Sequence, residues 1–435
     1  MKRAIGKMSK ITPNKYFLKN NAKDVWTLTN EFAAHSAAAN PGKELINLGQ
    51  GFFSYSPPTF AIKEAKAALD IPLVNQYSPT RGRPSLLNSL VELYKPLLKQ
   101  ELDTQNVLVT TGANEGILAC LMGLLNAGDE VIVFEPFFDQ YIPNIELVGG
   151  TVRYVPINPP KEIDQRVTSG QEWQVDWETL EKTFNSKTKA VIINTPHNPI
   201  GKVFTEDELL RIGNLCVKNN VVIISDEVYE HLYFTETFPR IAALSKEIGQ
   251  LTLNVGSAGK SFAATGWRIG WVVSLNPELL SFVSKAHTRI CFASPSPLQE
   301  ACANSITDAL KINYFDNMRK EYIRKFEILT KVFDELGLPF TKPEGTYFIL
   351  VDFSKVKIPA DYEFPEELHA KAKDFRIAYW LINEIGIVAI PPTEFYIAEH
   401  EKVAENLLRF AVCKEDDYLE KAAERFKDLK PYLDV

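Results

Sequence analysis

Two charged side chains follow apolar stretches that have the composition of buried strands. Lys260 lies on a short loop after residues 251–255, and Arg268 comes eight residues later. A lysine amine that nearby cations or desolvation keep deprotonated can form a Schiff base with a carbonyl compound. Asp226 ends another apolar stretch, where an isolated carboxylate is costly unless a cation faces it. Lys260 and Asp226 together therefore indicate carbonyl chemistry on a ligand that carries a positive charge.

Three further segments suited to ligand binding also follow predicted strands. The turn at residues 194–199 contains two prolines, which stiffen it and aim Asn198 at a ligand oxygen. The segment around Ala113 and Asn114 is a strand–turn–helix, whose first free N–H groups suit a phosphate. The segment at residues 135–139, with Phe137 and Phe138, offers an aromatic face for stacking. Because open α/β sheets bind ligands where their strands end, we expect all these segments at one site.

The chemistry of these segments points to pyridoxal phosphate (PLP) as the cofactor. PLP combines a phosphate with a carbonyl and with a ring nitrogen that needs an acidic partner when the ring accepts electrons. Lys260 suits the carbonyl and Asp226 suits the ring nitrogen. Tyr229, three residues after Asp226, can turn its hydroxyl toward the same ring.

Two local motifs suggest other nucleotide-type ligands, but each is incomplete. The Gly-Gln-Gly at residues 49–51 resembles a dinucleotide fingerprint, yet it lacks the third glycine, and the prolines at residues 57–58 stop the helix that a pyrophosphate needs. Residues 254–261 resemble a phosphate-binding P-loop, with Asn254 in place of the first glycine. Residues 221–227, which end in Asp226 and Glu227, resemble the acidic strand that holds magnesium in P-loop proteins. They precede this loop instead of following it, and the sequence after Ser261 is too rich in glycine for a long helix.

The middle of the chain predicts an α/β fold with a mostly parallel central sheet and helices on both faces. Apolar runs without polar alternation suit parallel strands that are covered on both sides. The predicted strands are 106–110, 130–134, 190–194, 221–225 and 251–255. Thr205 and Glu208 form a capping box that opens a helix over residues 209–219.

After about residue 325 the pattern changes to a smaller α+β unit. It contains a charged helix over residues 317–336 and strand-like runs at 347–352, 387–391 and 408–412. The predicted divisions of the chain are a flexible basic extension (1–23), an N-terminal segment that joins the small domain (24–59), a large ligand-binding domain (60–320) and the small C-terminal domain (321–435).

Composition limits the classes of partner. The 435 residues include 48 Lys and Arg against 55 Asp and Glu, a net charge of −7 that argues against nucleic acid as a partner. No apolar run is long enough for a membrane span, so no membrane partner is expected either. The five cysteines are scattered and predict a reducing compartment without disulfides. The six histidines show no metal spacing, and no metal site is predicted.

At these residues the chain resembles the PLP-dependent aminotransferases of fold type I. More narrowly, it resembles the kynurenine aminotransferase and cysteine-S-conjugate β-lyase subgroup. The resemblance extends in order over roughly residues 24–430, and these segments carry it: 47–52, 75–77, 135–139, 194–202, 225–229, 256–271, 344–348 and 408–410.

The resemblance implies a role for each matching residue at the cofactor. Lys260 would form the Schiff base and move the proton between substrate and cofactor, and Asp226 would pair with the pyridinium. Asn198 and Tyr229 would hydrogen-bond the phenolic oxygen. The phosphate would be bound by Ser257, Arg268 and the backbone N–H groups of Ala113 and Asn114. Phe138 would stack on the ring, although Phe137 is an equally placed alternative. Tyr77 would reach the phosphate of the neighbouring subunit, so a homodimer is implied.

Further residues would contact the substrate. Arg409, in an otherwise apolar strand-like run, would bind the substrate carboxylate, and an internal salt bridge is its alternative role. Gly51 and Asn198 would assist at the same carboxylate. Trp26 and Phe292 lie in regions that line the side-chain pocket of relatives, where simple packing is an equal alternative. The chain departs from relatives at Asn114, where they have an aromatic residue, and at Ala293, where some have histidine. His197 is interpreted as structural.

The expected activity is ping-pong transamination of kynurenine, and of other large or aromatic amino acids, with a 2-oxo acid such as 2-oxoglutarate. The keto product of kynurenine can cyclise to kynurenic acid. A broad glutamine or aromatic transaminase, a cysteine-S-conjugate β-lyase and a catalytically silent regulator on the same fold are the alternatives. Residues 1–23 carry seven basic side chains and no acid. The expected location is the cytoplasm, with a mitochondrial targeting role of this segment as the alternative.

Overall fold

The computed structural model describes residues 16–17 and 23–433. The basic extension predicted over residues 1–23 therefore lies almost entirely outside the described residues. Within the described part of the chain, the helices are all too short or too polar to cross a membrane.

The strands have short, mostly buried sequences. In chain order they are β1 (Ile46–Asn47), β2 (Val107–Thr110), β3 (Glu130–Glu135), β4 (Thr151–Asn158), β5 (Thr168–Ser169), β6 (Gln174–Val175), β7 (Thr188–Asn194), β8 (Val222–Asp226), β9 (Thr252–Ser257), β10 (Gly270–Val273), β11 (Phe340–Lys342), β12 (Phe348–Asp352), β13 (Ile387–Val388) and β14 (Leu407–Ala411). The five strands predicted in the middle of the chain are confirmed, with bounds that differ by one or two residues.

The central sheet has eight strands in the order β2–β10–β9–β8–β7–β3–β4–β6. Its middle strands are parallel, whereas β10 runs antiparallel to both β2 and β9, and β6 runs antiparallel to β4. Two antiparallel steps restore direction, so β2 points the same way as β9. The carboxyl ends of β2, β3, β7, β8 and β9 therefore lie at one edge, which is where an open α/β sheet binds ligands.

Strand β7 shows why these runs are apolar at every position. Val191 and Ile193 pack into the core on one face of the sheet, whereas Ala190 and Ile192 pack into the core on the other face. A strand that is covered on both faces has no solvated side, so alternation disappears from its sequence. The α/β class that these runs predict is confirmed.

Helices cover both faces of the sheet. In chain order they are α1 (Val25–Ala39), α2 (Thr59–Leu69), α3 (Pro84–Leu98), α4 (Ala113–Leu124), α5 (Tyr141–Leu147), α6 (Trp177–Thr183), α7 (Glu206–Asn219), α8 (Lys246–Gln250), α9 (Ala258–Ser261), α10 (Pro277–Ile290), α11 (Ser296–Lys311), α12 (Tyr314–Glu335), α13 (Lys373–Trp380) and α14 (Asp416–Phe426). The capping box of α7 is confirmed, because Thr205 and Glu208 each accept from the other's backbone N–H. Helix α9 ends at Ser261, as the glycine-rich sequence after it predicts.

The C-terminal strands form separate sheets. Strands β14, β12, β11 and β5 make a four-stranded sheet, and β1 pairs in parallel with β13. The N-terminal segment thus contacts the C-terminal unit, as the predicted organisation requires. Helix α12 runs without a break through the predicted boundary at residues 320 and 321, and β5 comes from the middle of the chain. The domain boundaries themselves stay a prediction.

Candidate active site

A cavity of about 220 Å³ opens at the edge where these strands end. Most of the residues that the sequence proposed for a ligand line it. They are Ala113, Asn114, Phe138, Asn198, Asp226, Tyr229, Ser257, Lys260 and Arg268. Five separate stretches of sequence therefore converge on one site, as the strand-end rule predicts.

Lys260 lies half-buried on the four-residue helix α9, directly after β9. Its Nζ donates a hydrogen bond to the hydroxyl of Tyr347 at 2.6 Å. Burial is the main reason that the pKa of Lys260 falls to about 8, and the positive charges of Arg409 and Arg268 act in the same direction. An amine with this pKa is partly neutral near physiological pH, so it can act as a nucleophile and a base.

Asp226 ends β8 as a buried carboxylate that no lysine or arginine of the described residues approaches within ion-pair distance. It accepts a hydrogen bond from the hydroxyl of Tyr141. Burial raises the pKa of Asp226 to about 6, although the hydrogen bond from Tyr141 and the charge of Lys260 oppose the rise. A cation beside this group would lower the pKa again by stabilising the charged carboxylate. The carboxylate therefore suits a protonated ring nitrogen.

The start of α4 forms a cradle for an anion. Its first residues, Ala113 and Asn114, have backbone N–H groups that the helix itself leaves without partners. Gly112 precedes them with a φ of +83°, and a Cβ at this position would lie 2.5 Å from Nη2 of Arg268. Glycine therefore lets the guanidinium approach the helix start. Ser257 and Arg268 add a hydroxyl and a positive charge to the same wall of the cavity.

The cavity distinguishes Phe138 from its neighbour. Phe138 lines the cavity, whereas Phe137 is buried in the core and packs at 5.8 Å from the ring of Tyr154. Of the two rings, Phe138 is therefore the one that faces the cavity, and its stacking role stays a prediction. Tyr229 also lines the cavity, and its ring lies 5.6 Å from Nζ of Lys260.

Arg409 is a buried cation on β14, with 1% of its surface exposed. Its guanidinium donates to Oδ1 of Asn198 at 3.1 Å and to the carbonyl of Gly49 at 3.0 Å, and its Nε has no partner. Among the described residues, none places a carboxylate in ion-pair contact with it, so the internal salt bridge is absent. Burial lowers the pKa of Arg409 to about 10, which still leaves the group charged. An unpaired buried guanidinium is suited to a ligand carboxylate.

Aromatic rings surround this guanidinium. Its centre lies 4.0 Å from the ring of Phe348, 5.1 Å from that of Trp26 and 5.3 Å from that of Phe395. Trp26 is held by a hydrogen bond from its Nε1 to the carboxylate of Asp139 at 2.9 Å. Gly51 lies nearby, and its carbonyl accepts from the hydroxyl of Tyr347. Gly51, predicted at the substrate carboxylate, thus lies near this guanidinium, and Trp26, predicted to line the side-chain pocket, packs against it.

Five predicted residues are not among those that line the cavity, namely Arg409, Gly51, Trp26, Tyr77 and Phe292. Arg409 adjoins the lining through its hydrogen bond to Asn198, whereas Tyr77 and Phe292 lie on the surface of the chain. Tyr77 is 89% exposed and Phe292 is 52% exposed, and their rings pack edge to face at 5.7 Å. They line a separate surface opening of about 500 Å³. The single chain therefore leaves both rings available to something outside it.

The sequence missed two tyrosines that contact the charged pair. Tyr141 on α5 contacts Asp226, and Tyr347 links Lys260 to the backbone of Gly51. Tyr347 belongs to one of the segments that resemble the family, so a signal existed, whereas nothing in the sequence around Tyr141 marked it. His197 is buried, and burial lowers its pKa to about 3. It is neutral, as its structural interpretation requires.

Comparison with known proteins places the chain in a family. The sequence profile for aminotransferase class I and II matches residues 43–426. The probable kynurenine–oxoglutarate transaminase of Saccharomyces cerevisiae is 77% identical over 98% of this chain and 96% of that protein. Human kynurenine–oxoglutarate transaminase 3 is 34% identical over 90% of this chain and 86% of its own length. The crystal structure of Bna3p from S. cerevisiae matches with a TM-score of 0.96 at 77% identity, covering 98% of this chain and 100% of that one. The chain therefore belongs to the class I and II aminotransferase family.

Proposed function

We propose that this aminotransferase uses PLP to transfer the amino group of kynurenine, and of other large or aromatic amino acids, to a 2-oxo acid such as 2-oxoglutarate. The observation that carries the proposal is Arg409, a buried cation without a carboxylate partner among the described residues, in the same site as Lys260 and Asp226. Two relatives, at 77% and 34% identity, are named as kynurenine–oxoglutarate transaminases, which supports kynurenine as the amino donor.

The residues fit PLP at each of its polar groups. Asp226 is an acid whose pKa is raised by burial, and a protonated ring nitrogen beside it would stabilise its charged form. The glycine at 112 leaves room for Arg268 beside the free N–H groups of α4, as a phosphate requires. Lys260 supplies an amine with a lowered pKa between these two groups.

The chain's own residues account for the remaining chemistry. When bound, PLP would supply a carbonyl carbon that accepts the amino group and a ring that accepts electrons from the substrate. Arg409 binds the substrate carboxylate through its planar fork and so fixes Cα near Lys260. Nζ of Lys260 would hold and move the proton of the substrate Cα, and the carboxylate of Asp226 would face the ring nitrogen of the cofactor. Because amino donor and oxo acid use the same site in turn, the kinetics are ping-pong.

The rings around the carboxylate site favour an aromatic donor. Trp26 and Phe395 lie within 5.3 Å of the guanidinium that would hold the substrate carboxylate. The side chain of a bound amino acid starts two bonds from that carboxylate, so it would extend along this apolar wall. Burial of an aromatic side chain against such rings is favourable, whereas a short acidic side chain gains nothing from them.

A panel of amino donors against fixed 2-oxoglutarate tests the substrate assignment. Kynurenine should give kynurenic acid with a kcat/KM at least about tenfold above that for aspartate, which is about the effect of one or two buried methylene equivalents. Equal rates for glutamine and methionine would favour the broad transaminase. Release of pyruvate and ammonia from a cysteine S-conjugate, without transamination, would favour the β-lyase. Absence of turnover with every donor would favour the silent regulator.

The substitution Asp226→Asn should lower the activity of the enzyme without lowering its thermal stability. The amide cannot compensate a protonated ring nitrogen, so kcat/KM should fall by about 30- to 5,000-fold, which corresponds to about 2–5 kcal/mol for one partner of a buried charge pair. The raised pKa means that the ionised carboxylate opposes folding above pH 6 in the cofactor-free protein. The melting temperature of the cofactor-free variant at pH 8 should therefore equal or exceed that of the parent. Asp207→Asn on the exposed start of α7 is the matched control, and a similar loss of activity there would contradict this role.

The lowered pKa of Lys260 predicts how cofactor capture depends on pH. The amine is protonated below about pH 8 and neutral above it, so the rate at which cofactor-free protein captures PLP should rise through pH 8 and then level off.

The hydroxyl of Tyr347 accepts a hydrogen bond from Nζ of Lys260, which favours the charged amine. Tyr347→Phe should therefore move the midpoint down by about one pH unit. Stopped-flow absorbance measures both curves, and an unchanged or higher midpoint in the variant would contradict this contact.

We also propose a homodimer in which Tyr77 reaches the phosphate site of the partner subunit. Phe292 packs on Tyr77, so both rings would enter the partner's site together and complete its aromatic wall. Mixed dimers of Lys260→Ala and Tyr77→Ala chains test this arrangement. One of the two sites in such a dimer contains both native residues. The activity of the mixed dimer should therefore be about half that of a parental dimer, which has two native sites. Failure to recover, with mixed dimers demonstrated by sedimentation, would place Tyr77 in its own subunit's site.

For the cellular location we propose the cytoplasm. The basic composition of residues 1–23 leaves mitochondrial import as the alternative. A fluorescent protein fused to residues 1–23 decides between them, because import of the fusion would overturn the cytoplasmic assignment.

A further inference from the structure

Glu115, His287 and Cys291 bring three metal-ligating side chains together outside the residues used for transamination. His287 lies in the last turn of α10, and Cys291 follows one turn later. Glu115 lies in the first turn of α4, which packs against α10. A carboxylate oxygen, a ring nitrogen and the sulfur all lie within 4.8 Å of one another. The acid comes from a distant part of the chain, so no sequence spacing could have shown the group.

The carboxylate of Glu115 and the sulfur of Cys291 both approach the same ring nitrogen of His287. Nδ1 of His287 lies 3.0 Å from both oxygens of Glu115 and 3.4 Å from the sulfur of Cys291. In a thiol–imidazole–carboxylate relay, the thiol and the carboxylate engage opposite ring nitrogens. Here both face Nδ1 most closely, and one nitrogen cannot serve both by donating a proton. The arrangement therefore does not fit a proton relay.

We infer that Glu115, His287 and Cys291 form a binding site for a zinc-type divalent cation. Zinc takes nitrogen and oxygen ligands at about 2.0–2.2 Å and sulfur at about 2.3 Å in a tetrahedron, so neighbouring ligands lie about 3.3–3.6 Å apart. The distances of 3.0 and 3.4 Å around Nδ1 differ from these values by only a few tenths of an ångström. A mixture of one nitrogen, one oxygen and one sulfur donor also favours zinc over magnesium or calcium.

A fourth ligand is within reach. Oγ1 of Thr111 lies 3.2 Å from the sulfur of Cys291, so this hydroxyl or a water can complete the tetrahedron. Cys291 is half-buried and lines the surface opening near Tyr77. Binding would convert the thiol to a thiolate and release its proton to solvent, while His287 binds as the neutral imidazole.

The proposed cation site adjoins the anion cradle. Oε2 of Glu115 also accepts a hydrogen bond from the backbone N–H of Thr111 at 2.9 Å. Thr111 immediately precedes Gly112, the glycine that lets Arg268 approach the start of α4. A cation that draws the carboxylate toward itself would change this hydrogen bond and the shape of the turn. Metal binding should therefore alter how firmly the cradle holds an anion.

Titration of the purified holoenzyme with Zn²⁺ and Cd²⁺ tests the inference. We expect one ion per chain by calorimetry, release by a chelator, and an ultraviolet charge-transfer band with Cd²⁺ that reports a sulfur ligand. X-ray absorption should give one Zn–S distance of about 2.3 Å and nitrogen or oxygen ligands at about 2.0–2.2 Å. Binding without a sulfur ligand would overturn the site, and so would the absence of stoichiometric binding.

Variants separate this site from adventitious binding elsewhere. Cys291→Ser and Glu115→Gln should each weaken binding by more than the about 10-fold that loss of an outer-shell partner costs. Cys216→Ser on α7, which removes a buried cysteine away from the cluster, is the matched control and should bind as the parent does. Parental affinity in both Cys291→Ser and Glu115→Gln would contradict the assignment. Circular dichroism confirms that each variant is folded, so a loss of binding reports the ligands themselves.

Discussion

Replacing Lys260 with alanine should abolish transamination, with a fall in kcat of about 10⁴-fold or more. The variant loses both the amine that captures the cofactor and the base that moves the proton at Cα, and general acid–base catalysis alone contributes about 10²–10⁴-fold. The lowered pKa of Lys260 makes it the lysine in the cavity that is poised for both tasks. Coupled assays of 2-oxo acid formation measure the loss, and visible absorbance measures whether the cofactor is still bound through nitrogen.

The control and the rescue distinguish chemistry from folding. Lys246→Ala removes an exposed lysine at the start of α8 and should retain parental activity. Added small primary amines should restore part of the proton transfer in the Lys260→Ala variant, because they can enter the space that the side chain leaves. Full activity of Lys260→Ala without any added amine would disprove the assigned role.

Replacing Arg409 with glutamine should lower kcat/KM for amino acids and for 2-oxo acids by a similar factor. Loss of one partner of a buried charge pair costs about 2–5 kcal/mol, which corresponds to roughly 30- to 5,000-fold. Both substrate classes share the carboxylate, so both half-reactions should suffer. Steady-state kinetics with each substrate in turn give the two factors.

Stability and a truncated substrate test whether Arg409 acts through the carboxylate. Without ligand, the guanidinium is a buried charge that lacks an ionic partner among the described residues, so removing it should leave the melting temperature equal or higher. Slow turnover of a primary amine that lacks the carboxylate should be the same in parent and variant. Arg211→Gln, which alters an exposed ion pair, should change neither measurement. A lowered melting temperature with unchanged kinetics would assign Arg409 a structural role.

The position of the cavity could be predicted from the sequence because the side chains that bind and react follow predicted strands. Asp226, Lys260 and Asn198 follow apolar runs that suit buried parallel strands, and parallel strands end at a common edge. This rule predicts that residues far apart in the chain lie close together at that edge. Arg409 was found by a different signal, which is a charge within an apolar run.

Other contacts depend on geometry that no local pattern records. Tyr141 on α5 contacts Asp226 at the end of β8 from 85 residues away, and its sequence shows only an ordinary tyrosine near a strand. The choice between Phe137 and Phe138 needed the direction of each ring, which adjacent residues in a loop do not specify. The His287–Cys291 spacing is that of one helical turn, and its partner acid lies on another helix.

Positions that depend on a second chain are the hardest to assign from one sequence. Tyr77 and Phe292 look like exposed surface aromatics within the single chain, although the family resemblance assigns them to a ligand site. Likewise, the proposed boundary near residue 320 falls inside α12, because a continuous helix can connect two units without any break in its pattern.

Reduction of the purified holoenzyme with borohydride, followed by peptide mass spectrometry, identifies the lysine that holds the cofactor and so tests the role of Lys260. Reduction makes the bond between the cofactor and its lysine permanent, so the modified peptide identifies the residue. We predict one cofactor adduct per chain, on the peptide that contains Lys260. An adduct on a different lysine, or no adduct on a protein that still transaminates, would contradict it.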